Sequence, residues 1–302
     1  MRFSFWPMPT QSFEIMQSLS QHVESTNWDG LWLADHFMPN GEDTNQPWPE
    51  AWTTLSALAA TVPRIRMGTL VTGNTYRHPA VLAKMAATVD HISGGRVVLG
   101  LGSGWQENEH DKYGIEFGTI GERLRKMEEA CQVIKQLFDT GSASFSGEFY
   151  TLNQAPLEPK PVQAKLPLLI GGGGEKVTLR ITAQYADEWN VWGTVDTLKA
   201  KMALLDEHCD KLGRNPADIQ RSAVALLFLS DDESLVKKMN ESTDAPARIA
   251  GNVSQLCDTI AGYKDAGVDE LIVPDFTMGP GMEQKKIDTL NTFINEVAPA
   301  GR

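Results

Sequence analysis

The chain has 302 residues, of which 41% are hydrophobic and 22% charged, proportions of a folded globular protein that exclude an intrinsically disordered one. The formal net charge of −12, with no basic cluster to offset it, argues against binding to nucleic acid or to an anionic membrane. The three cysteines are scattered, and no apolar run is long enough to cross a bilayer. We therefore expect a cytoplasmic protein without a signal peptide, a disulfide framework or a metal site.

Eight short apolar runs alternate with longer stretches of helical period, which is the pattern of repeated strand–helix units. The predicted strands begin at Arg2, Gly30, Arg66, Arg96, Leu166, Glu188, Ala223 and Glu270. Helical period is clearest at 49–62, 80–92 and 121–138. This pattern predicts an α/β fold, a (β/α)₈ TIM barrel formed as one domain by residues 1–302. The alternative is an open doubly wound sheet, for which eight strands are rather many.

The barrel is expected to carry insertions, because the chain exceeds what eight units need. We assign them to residues 106–121, 144–153 and 231–252. The second of these reads as a hairpin by its alternation.

The second predicted strand, "GLWLA", leads directly into Asp35 and His36 and then into a polar loop. Functional side chains of such barrels lie at the carboxyl ends of the strands. Neighbouring side chains on a strand point in opposite directions, so one of the pair is expected to contact a cofactor and the other a substrate. A histidine is suited to proton transfer near neutral pH. The alternative is a strand end with a solvent-facing pair.

Four consecutive glycines, Gly171 to Gly174, separate the fifth predicted strand from a helix predicted to begin at Glu175. Backbone N–H groups at a helix N-terminus favour an anion, and glycines let it approach closely. No Gly-Lys-Ser/Thr follows, so the tract is not a Walker A loop. It is interpreted as a phosphate site, the alternative being a tight turn that needs positive φ angles.

A second glycine series, Gly100, Gly102 and Gly104, alternates along the fourth predicted strand and leaves one face bare. A flat ligand is expected there, with Asn108 as a hydrogen-bonding partner; the alternative is that the glycines relieve crowding inside the barrel. Three tryptophans at strand ends or in loops are candidates for an aromatic wall of the substrate pocket: Trp6, Trp48 and Trp105.

Several motifs together resemble the luciferase-like monooxygenase family. They are "ADHFMP", "GTLVTGNTYRHPAVLAKMAATVDHISGGRVVLGLGSGW", "LEPKPVQ" and "LLIGGGGEKVTLRITAQYADEWN", and the likeness runs in order from about Phe3 to Val273. The chain is most similar to the branch that uses the deazaflavin coenzyme F420 in place of FMN. The resemblance implies a bacterial luciferase-like (β/α)₈ barrel with insertions, and a homodimer is expected from it.

The resemblance also implies roles for individual residues. Asp35 is expected to bind the cofactor, and His36 to lie near its reacting C5 as a proton donor or substrate-orienting group. A cis peptide bond at Leu70–Val71 is expected to back the deazaflavin ring. The other positions that match cofactor-contacting ones are Thr72, Gly104, Asn108, Gly172, Gly173, Gly174, Lys176 and Val177.

The implied reaction is hydride transfer between coenzyme F420 and a small organic substrate. The chain departs from the family's sugar-phosphate dehydrogenases at Trp105, where they carry a glutamate, and this argues against glucose-6-phosphate oxidation. An FMN-dependent monooxygenase using reduced flavin and O₂ is the main alternative. A barrel without catalytic activity, and a barrel lyase or aldolase, remain as further classes.

Overall fold

A computed structural model describes residues 1–242 and 246–302. The strands are β1 (Arg2–Trp6), β2 (Gly30–Leu33), β3 (Arg66–Thr69), β4 (Thr72–Gly73), β5 (Val97–Gly102), β6 (Ser142–Ser146), β7 (Thr151–Pro156), β8 (Leu168–Gly171), β9 (Glu188–Trp192), β10 (Gln220–Val224), β11 (Leu226–Leu229), β12 (Arg248–Gly251) and β13 (Glu270–Pro274). The helices are α1 (Phe13–Glu24), α2 (Ala51–Thr61), α3 (Pro79–Ser93), α4 (Glu107–Tyr113), α5 (Ile120–Thr140), α6 (Thr178–Tyr185), α7 (Val195–Leu212), α8 (Glu233–Glu241), α9 (Val253–Asp265) and α10 (Gln284–Thr292).

The main sheet is parallel and closes into a barrel. Its strand order is β3-β2-β1-β13-β10-β9-β8-β5-β4, and a further pairing of β3 with β5 joins the two ends. Because β4 continues the path of β3 after Leu70 and Val71, the ring has eight strand positions. The predicted (β/α)₈ barrel is confirmed, and the open doubly wound sheet is wrong.

The seventh barrel strand differs from its prediction. A single strand is predicted from Ala223, whereas β10 ends at Val224 and β11 leaves the barrel to pair in parallel with β12. The N–H of Leu226 donates to Ala247 O at 2.9 Å, so the backbone of β11 is satisfied outside the main sheet. Strand β12 lies inside the insertion assigned to 231–252, where no strand is predicted. The hairpin at 144–153 is confirmed by the antiparallel pair of β6 and β7.

Side-chain alternation along the strands divides the core into two layers. On β2, Leu31 and Leu33 pack outward into the large cluster between barrel and helices, whereas Trp32 points into the barrel. The interior cluster joins buried side chains from the strands around the ring: Trp6, Trp32, Leu70, Val98, Leu169, Val224 and Ile272.

An ion cluster closes the amino-terminal end of the barrel. Glu270 is fully buried and accepts from Arg66 at 2.8 Å, from Arg2 at 3.1 Å and from Ser4 at 2.6 Å. Arg66 also pairs with Glu188 at 2.7 Å. Burial disfavours the charged form of Glu270, but the two arginines outweigh it and hold its pKa below the usual range. In the described part of the chain, this end of the barrel is therefore filled by charged side chains that pair with one another.

None of the helices in the described part of the chain has the length and hydropathy that a bilayer crossing requires.

Candidate active site

A cavity of about 730 Å³ opens at the carboxyl end of the barrel. Many of its lining residues end or closely follow barrel strands, such as Trp6 at the end of β1, His36 after β2 and Phe276 after β13. Eleven of the residues named from the sequence line it: Trp6, His36, Trp48, Leu70, Val71, Gly102, Gly104, Trp105, Gly171, Gly172 and Gly173. Residues that are far apart in the sequence thus lie at the same end of the barrel, as expected for this architecture.

His36 is held by a carboxylate. Its Nδ1 lies 2.8 Å from Oε1 of Glu109, a buried residue of α4. The N–H of Phe37 donates to Oε2 of Glu109 at 2.8 Å, and the hydroxyl of Tyr76 donates to Oε1. Because Nδ1 faces a carboxylate, it carries the proton, and Nε2 remains the nitrogen available to a molecule in the cavity.

The charge of Glu109 is stabilised despite its position. Burial disfavours ionisation, but the hydrogen bonds from His36, Phe37 and Tyr76 outweigh it, so the pKa of Glu109 lies below its ordinary value. Burial and then the Glu109 carboxylate raise the pKa of Tyr76, which therefore stays a neutral donor. Neither Glu109 nor Tyr76 was identified from the sequence.

Asp35 is not brought to the cavity, in contrast to the cofactor contact expected for it. Its side chain is fully buried and accepts from both terminal nitrogens of Arg77, at 2.7 and 3.1 Å. Arg77 also pairs with Glu50, which caps α2 by accepting from the N–H groups of Trp52 and Thr53. The side chains alternate as predicted, and His36 is on the cavity side. The buried carboxylate of Asp35 forms its ion pair with Arg77.

The peptide bond between Leu70 and Val71 is cis, as the resemblance implies. Val71 packs where glycines leave space: a Cβ at Gly100, Gly102 or Gly171 would lie 2.8 to 3.0 Å from its methyl groups. The alternative of relieved crowding holds for Gly100, because a Cβ there would lie 1.9 Å from the backbone carbonyl oxygen of Thr69. The other two glycines of the series, Gly102 and Gly104, line the cavity.

The glycine tract bends away from β8 before its helix begins. Gly172 has a φ angle of +126°, and α6 begins at Thr178, whereas the sequence predicted a helix from Glu175. The N–H groups of Gly173 and Gly174 have no acceptor among the described residues. Lys201 lies beside Gly173 and pairs with Glu175 at 2.6 Å. The tract offers free backbone donors and a nearby cation, as an anion site requires.

Five other expected contacts do not line the cavity. Thr72 is fully buried and its hydroxyl accepts from the indole of Trp52 at 2.9 Å. The amide of Asn108 donates to Pro39 O at 3.4 Å, and its Oδ1 is buried without a partner among the described residues. The remaining three lie outside the lining, beyond the first glycines of the tract: Gly174, Lys176 and Val177.

Six aromatic side chains of the described residues line the cavity: Trp6, Trp48, Tyr76, Trp105, Trp192 and Phe276. Trp6 contacts Phe276 and Trp192, with ring centroids 5.2 and 5.9 Å apart. Trp105 and Trp48 contact the imidazole of His36 edge-on, at 5.3 and 6.2 Å. In the described residues, no group of three or more His, Cys, Asp or Glu side chains is placed to hold a metal ion.

Comparison with known proteins agrees with this architecture. A family model described as luciferase-like monooxygenase matches residues 1–252. An F420-dependent glucose-6-phosphate dehydrogenase of Kineococcus radiotolerans is 28% identical, over 92% of this chain and 90% of the relative. Its counterpart in Amycolatopsis mediterranei is 35% identical over 54% of this chain, and the match spans 47% of that relative, about half its length.

A solved structure of an F420-dependent secondary alcohol dehydrogenase, in complex with an F420–acetone adduct, superposes with a TM-score of 0.84. The match covers 100% of this chain and 99% of that one. Because the sequence identity is 21%, this likeness supports the fold alone. The family expected from the motifs is confirmed by the family model, which spans most of the chain. The chain belongs to the luciferase-like monooxygenase family.

Proposed function

We propose that this protein is an oxidoreductase that transfers a hydride between coenzyme F420 and a small organic substrate. The observation that carries the proposal is the hydrogen bond of His36 to Glu109, which leaves one imidazole nitrogen for a molecule in the cavity. The names of the Kineococcus and Amycolatopsis relatives support coenzyme F420 as the cofactor.

The cavity has features that fit such a cofactor. Leu70 and Val71 form an apolar surface on which a flat ring system could pack, and the side chain of Val71 packs against Gly100, Gly102 and Gly171. The unpaired N–H groups of Gly173 and Gly174 could donate hydrogen bonds to a phosphate of its tail, and Lys201 lies close to them. These residues are the ones that would hold the cofactor. When bound, the deazaflavin supplies two-electron hydride chemistry at its C5.

The residues of the chain would transfer the substrate proton and form the walls of the substrate pocket. In the oxidation of an alcohol, Nε2 of His36 accepts the hydroxyl proton, and in the reverse direction it returns that proton to the carbonyl oxygen. Glu109 fixes the ring and stabilises the imidazolium form, in the way a carboxylate orients a catalytic histidine. The aromatic side chains give the cavity an apolar surface beside the imidazole of His36.

The test is substrate-dependent oxidation of reduced F420, read as recovery of the deazaflavin fluorescence, across a panel of ketones and aldehydes. We expect recovery with the wild-type chain and its loss in His36→Ala. No recovery with any carbonyl compound, together with tight binding of FMN, would overturn the proposal.

A second candidate is an FMN-dependent monooxygenase, which the description of the family itself supports. Oxygen uptake separates the two, because the monooxygenase consumes O₂ with reduced FMN and the deazaflavin enzyme does not. The expected homodimer stays a prediction, which sedimentation analysis of the purified chain would test.

A further inference from the structure

Asn190 lines the cavity from barrel strand β9, and its side-chain amide is held in one orientation. Ser222 donates its hydroxyl proton to the carbonyl oxygen of Trp189 at 3.0 Å. The same Oγ lies 2.9 Å from Nδ2 of Asn190, and because its only proton is already used, it accepts there. The amide therefore presents its NH₂ group to Ser222 and directs its carbonyl oxygen, Oδ1, elsewhere.

The Oδ1 atom of Asn190 has no donor of its own. Among the described residues, no N–H or O–H group lies within hydrogen-bond distance of it. The residue is only 5% exposed and belongs to the cavity lining, so its remaining accessible surface faces the cavity. A molecule that fills the cavity displaces water from this atom. It must then supply a donor, because a buried acceptor without a partner destabilises the complex.

The strand register places this acceptor beside the apolar surface of Leu70 and Val71. Gly171 on β8 is the register partner of Asn190 on β9, and neighbouring strands lie about 4.8 Å apart. A Cβ at Gly171 would lie 2.9 Å from the methyl groups of Val71, so this face of β8 points towards Val71. Register partners project their side chains to the same face of a sheet. Asn190 therefore lies at the border of the surface proposed for the flat ring.

The acceptor is distinct from the other groups of the lining. Of the described lining residues that lie within barrel strands, Asn190 is the one whose side chain carries an acceptor. The other buried amide, Gln106, belongs to the insertion after β5 and donates to Met38 O at 2.9 Å. Within residues 1–242 and 246–302, no lysine, arginine, aspartate or glutamate side chain lines the cavity. The barrel wall thus offers a ring on Val71 a neutral acceptor, which suits a neutral N–H group.

We propose that Asn190 recognises the imide edge of the bound cofactor ring, with Oδ1 accepting from its N3–H group, and that Ser222 is the positioning residue of this contact. The inference rests on the proposed function. The pyrimidine end of an oxidised deazaflavin has a single N–H group, at N3, between two carbonyl oxygens that only accept. An acceptor held in one orientation matches this N–H group. FMN carries the same edge, so the contact does not depend on which of the two cofactors binds.

The test changes the ring and measures binding to the unaltered chain, so it depends neither on turnover nor on a variant. The probes are F420 and a derivative methylated at N3, titrated into the cofactor-free protein and followed by fluorescence quenching. FMN and 3-methyl-FMN form the matching flavin pair. We expect methylation at N3 to weaken binding at least about tenfold, because it removes the donor and leaves Oδ1 of Asn190 without a partner.

The variant Asn190→Leu, which removes the acceptor at similar volume, should reverse this order. The unmethylated ring should bind it at least about fivefold more weakly than wild type. The methylated ring should bind it more tightly than it binds wild type, because neither partner is then left unpaired. Ser222→Ala, which frees the amide to rotate, should reduce the effect of methylation to less than about threefold. Asn153→Leu, at an exposed position of β7, is the matched control and should reproduce the wild-type affinities.

A methylated ring that binds the wild-type chain as tightly as the unmethylated ring would overturn the inference. So would an equal effect of methylation in wild type and Asn190→Leu, since the loss would then come from the size of the methyl group alone. The proposed function is read separately, from the affinity for F420 relative to FMN. Preference for FMN with the methylation effect would defeat the deazaflavin assignment and keep the Asn190 contact, whereas tight F420 binding without that effect would do the reverse.

Discussion

Nδ1 of His36 lies 2.8 Å from Oε1 of Glu109, although the two residues are 73 positions apart. His36 follows β2, whereas Glu109 belongs to α4, in the insertion after β5. The insertion therefore completes the site by fixing the imidazole that the barrel strand delivers. A histidine oriented in this way by a buried carboxylate is the arrangement that general acid–base catalysis uses.

Replacing His36 by alanine should lower turnover by roughly 10²–10⁴-fold, since the proposed function assigns proton transfer to this residue. The affinity for cofactor should stay within a few-fold of wild type, because the glycine tract and Leu70–Val71 are unchanged. Steady-state kinetics and a fluorescence titration on the same preparation measure both quantities. Normal turnover in this variant would reduce the histidine to a structural strand end.

Replacing Glu109 by glutamine should lower turnover roughly ten- to hundredfold, comparable to the loss of an outer partner of a functional histidine. It should also remove a pH-dependent part of the stability. The folded-state pKa of Glu109 is depressed from 4.5, so its contribution is present above that pH and is lost as the pH falls through the folded value.

Thermal unfolding of wild type and Glu109→Gln checks this sign. The difference in the free energy of unfolding should be largest near neutral pH and should shrink in acid. A constant difference across that range would show that the carboxylate charge plays no part.

Replacing Gly173 by aspartate should weaken cofactor binding at least about tenfold, because a carboxylate would stand beside the bound phosphate. Gly173→Ala is the matched control, which adds a Cβ 3.1 Å from Val191 without charge. Both variants should keep the circular dichroism of the wild type. If the aspartate variant binds cofactor as tightly as the alanine variant, the tract is only a turn.

Replacing Asp35 by asparagine should destabilise the fold by about 2 kcal/mol, because the half-buried Arg77 loses a bidentate carboxylate and keeps only Glu50. Cofactor affinity should change much less than stability, since the Asp35 side chain does not line the cavity. Urea unfolding and a cofactor titration separate the two effects. A large loss of affinity at unchanged stability would restore the direct cofactor contact that the resemblance implies.

The sequence was sufficient to predict the barrel, because each strand carries its own apolar run and each helix its own period. The sequence also predicts that Asp35 and Gly173 lie at the same end of the barrel, since both follow the carboxyl ends of parallel strands. These features are local, and the closure of the ring follows from repeating them. The split of the seventh strand was missed because "AVALLFL" is uniformly apolar and gives no sign that the chain changes sheets at Ala225.

The partners of the site residues were harder to predict because they depend on packing between distant segments. Glu109 stands in the polar run "QENEH", where only folding shows that it is buried and that Glu107 is exposed. The pairing of Asp35 with Arg77 likewise joins two strand ends. Gly100 was open to two interpretations, because the close approach of the Thr69 carbonyl oxygen is visible only in the folded chain. A buried acid that pairs with a histidine 73 positions away leaves no periodic signal in the sequence.

The account is tested most directly by titrating the purified chain, free of cofactor, with F420 and with FMN and following the quenching of cofactor fluorescence. We predict saturable binding of F420 that is at least about tenfold tighter than that of FMN. The variant Gly173→Asp should lose this binding, and His36→Ala should retain it. Tighter binding of FMN than of F420 by the wild-type chain would contradict the assignment of a deazaflavin oxidoreductase.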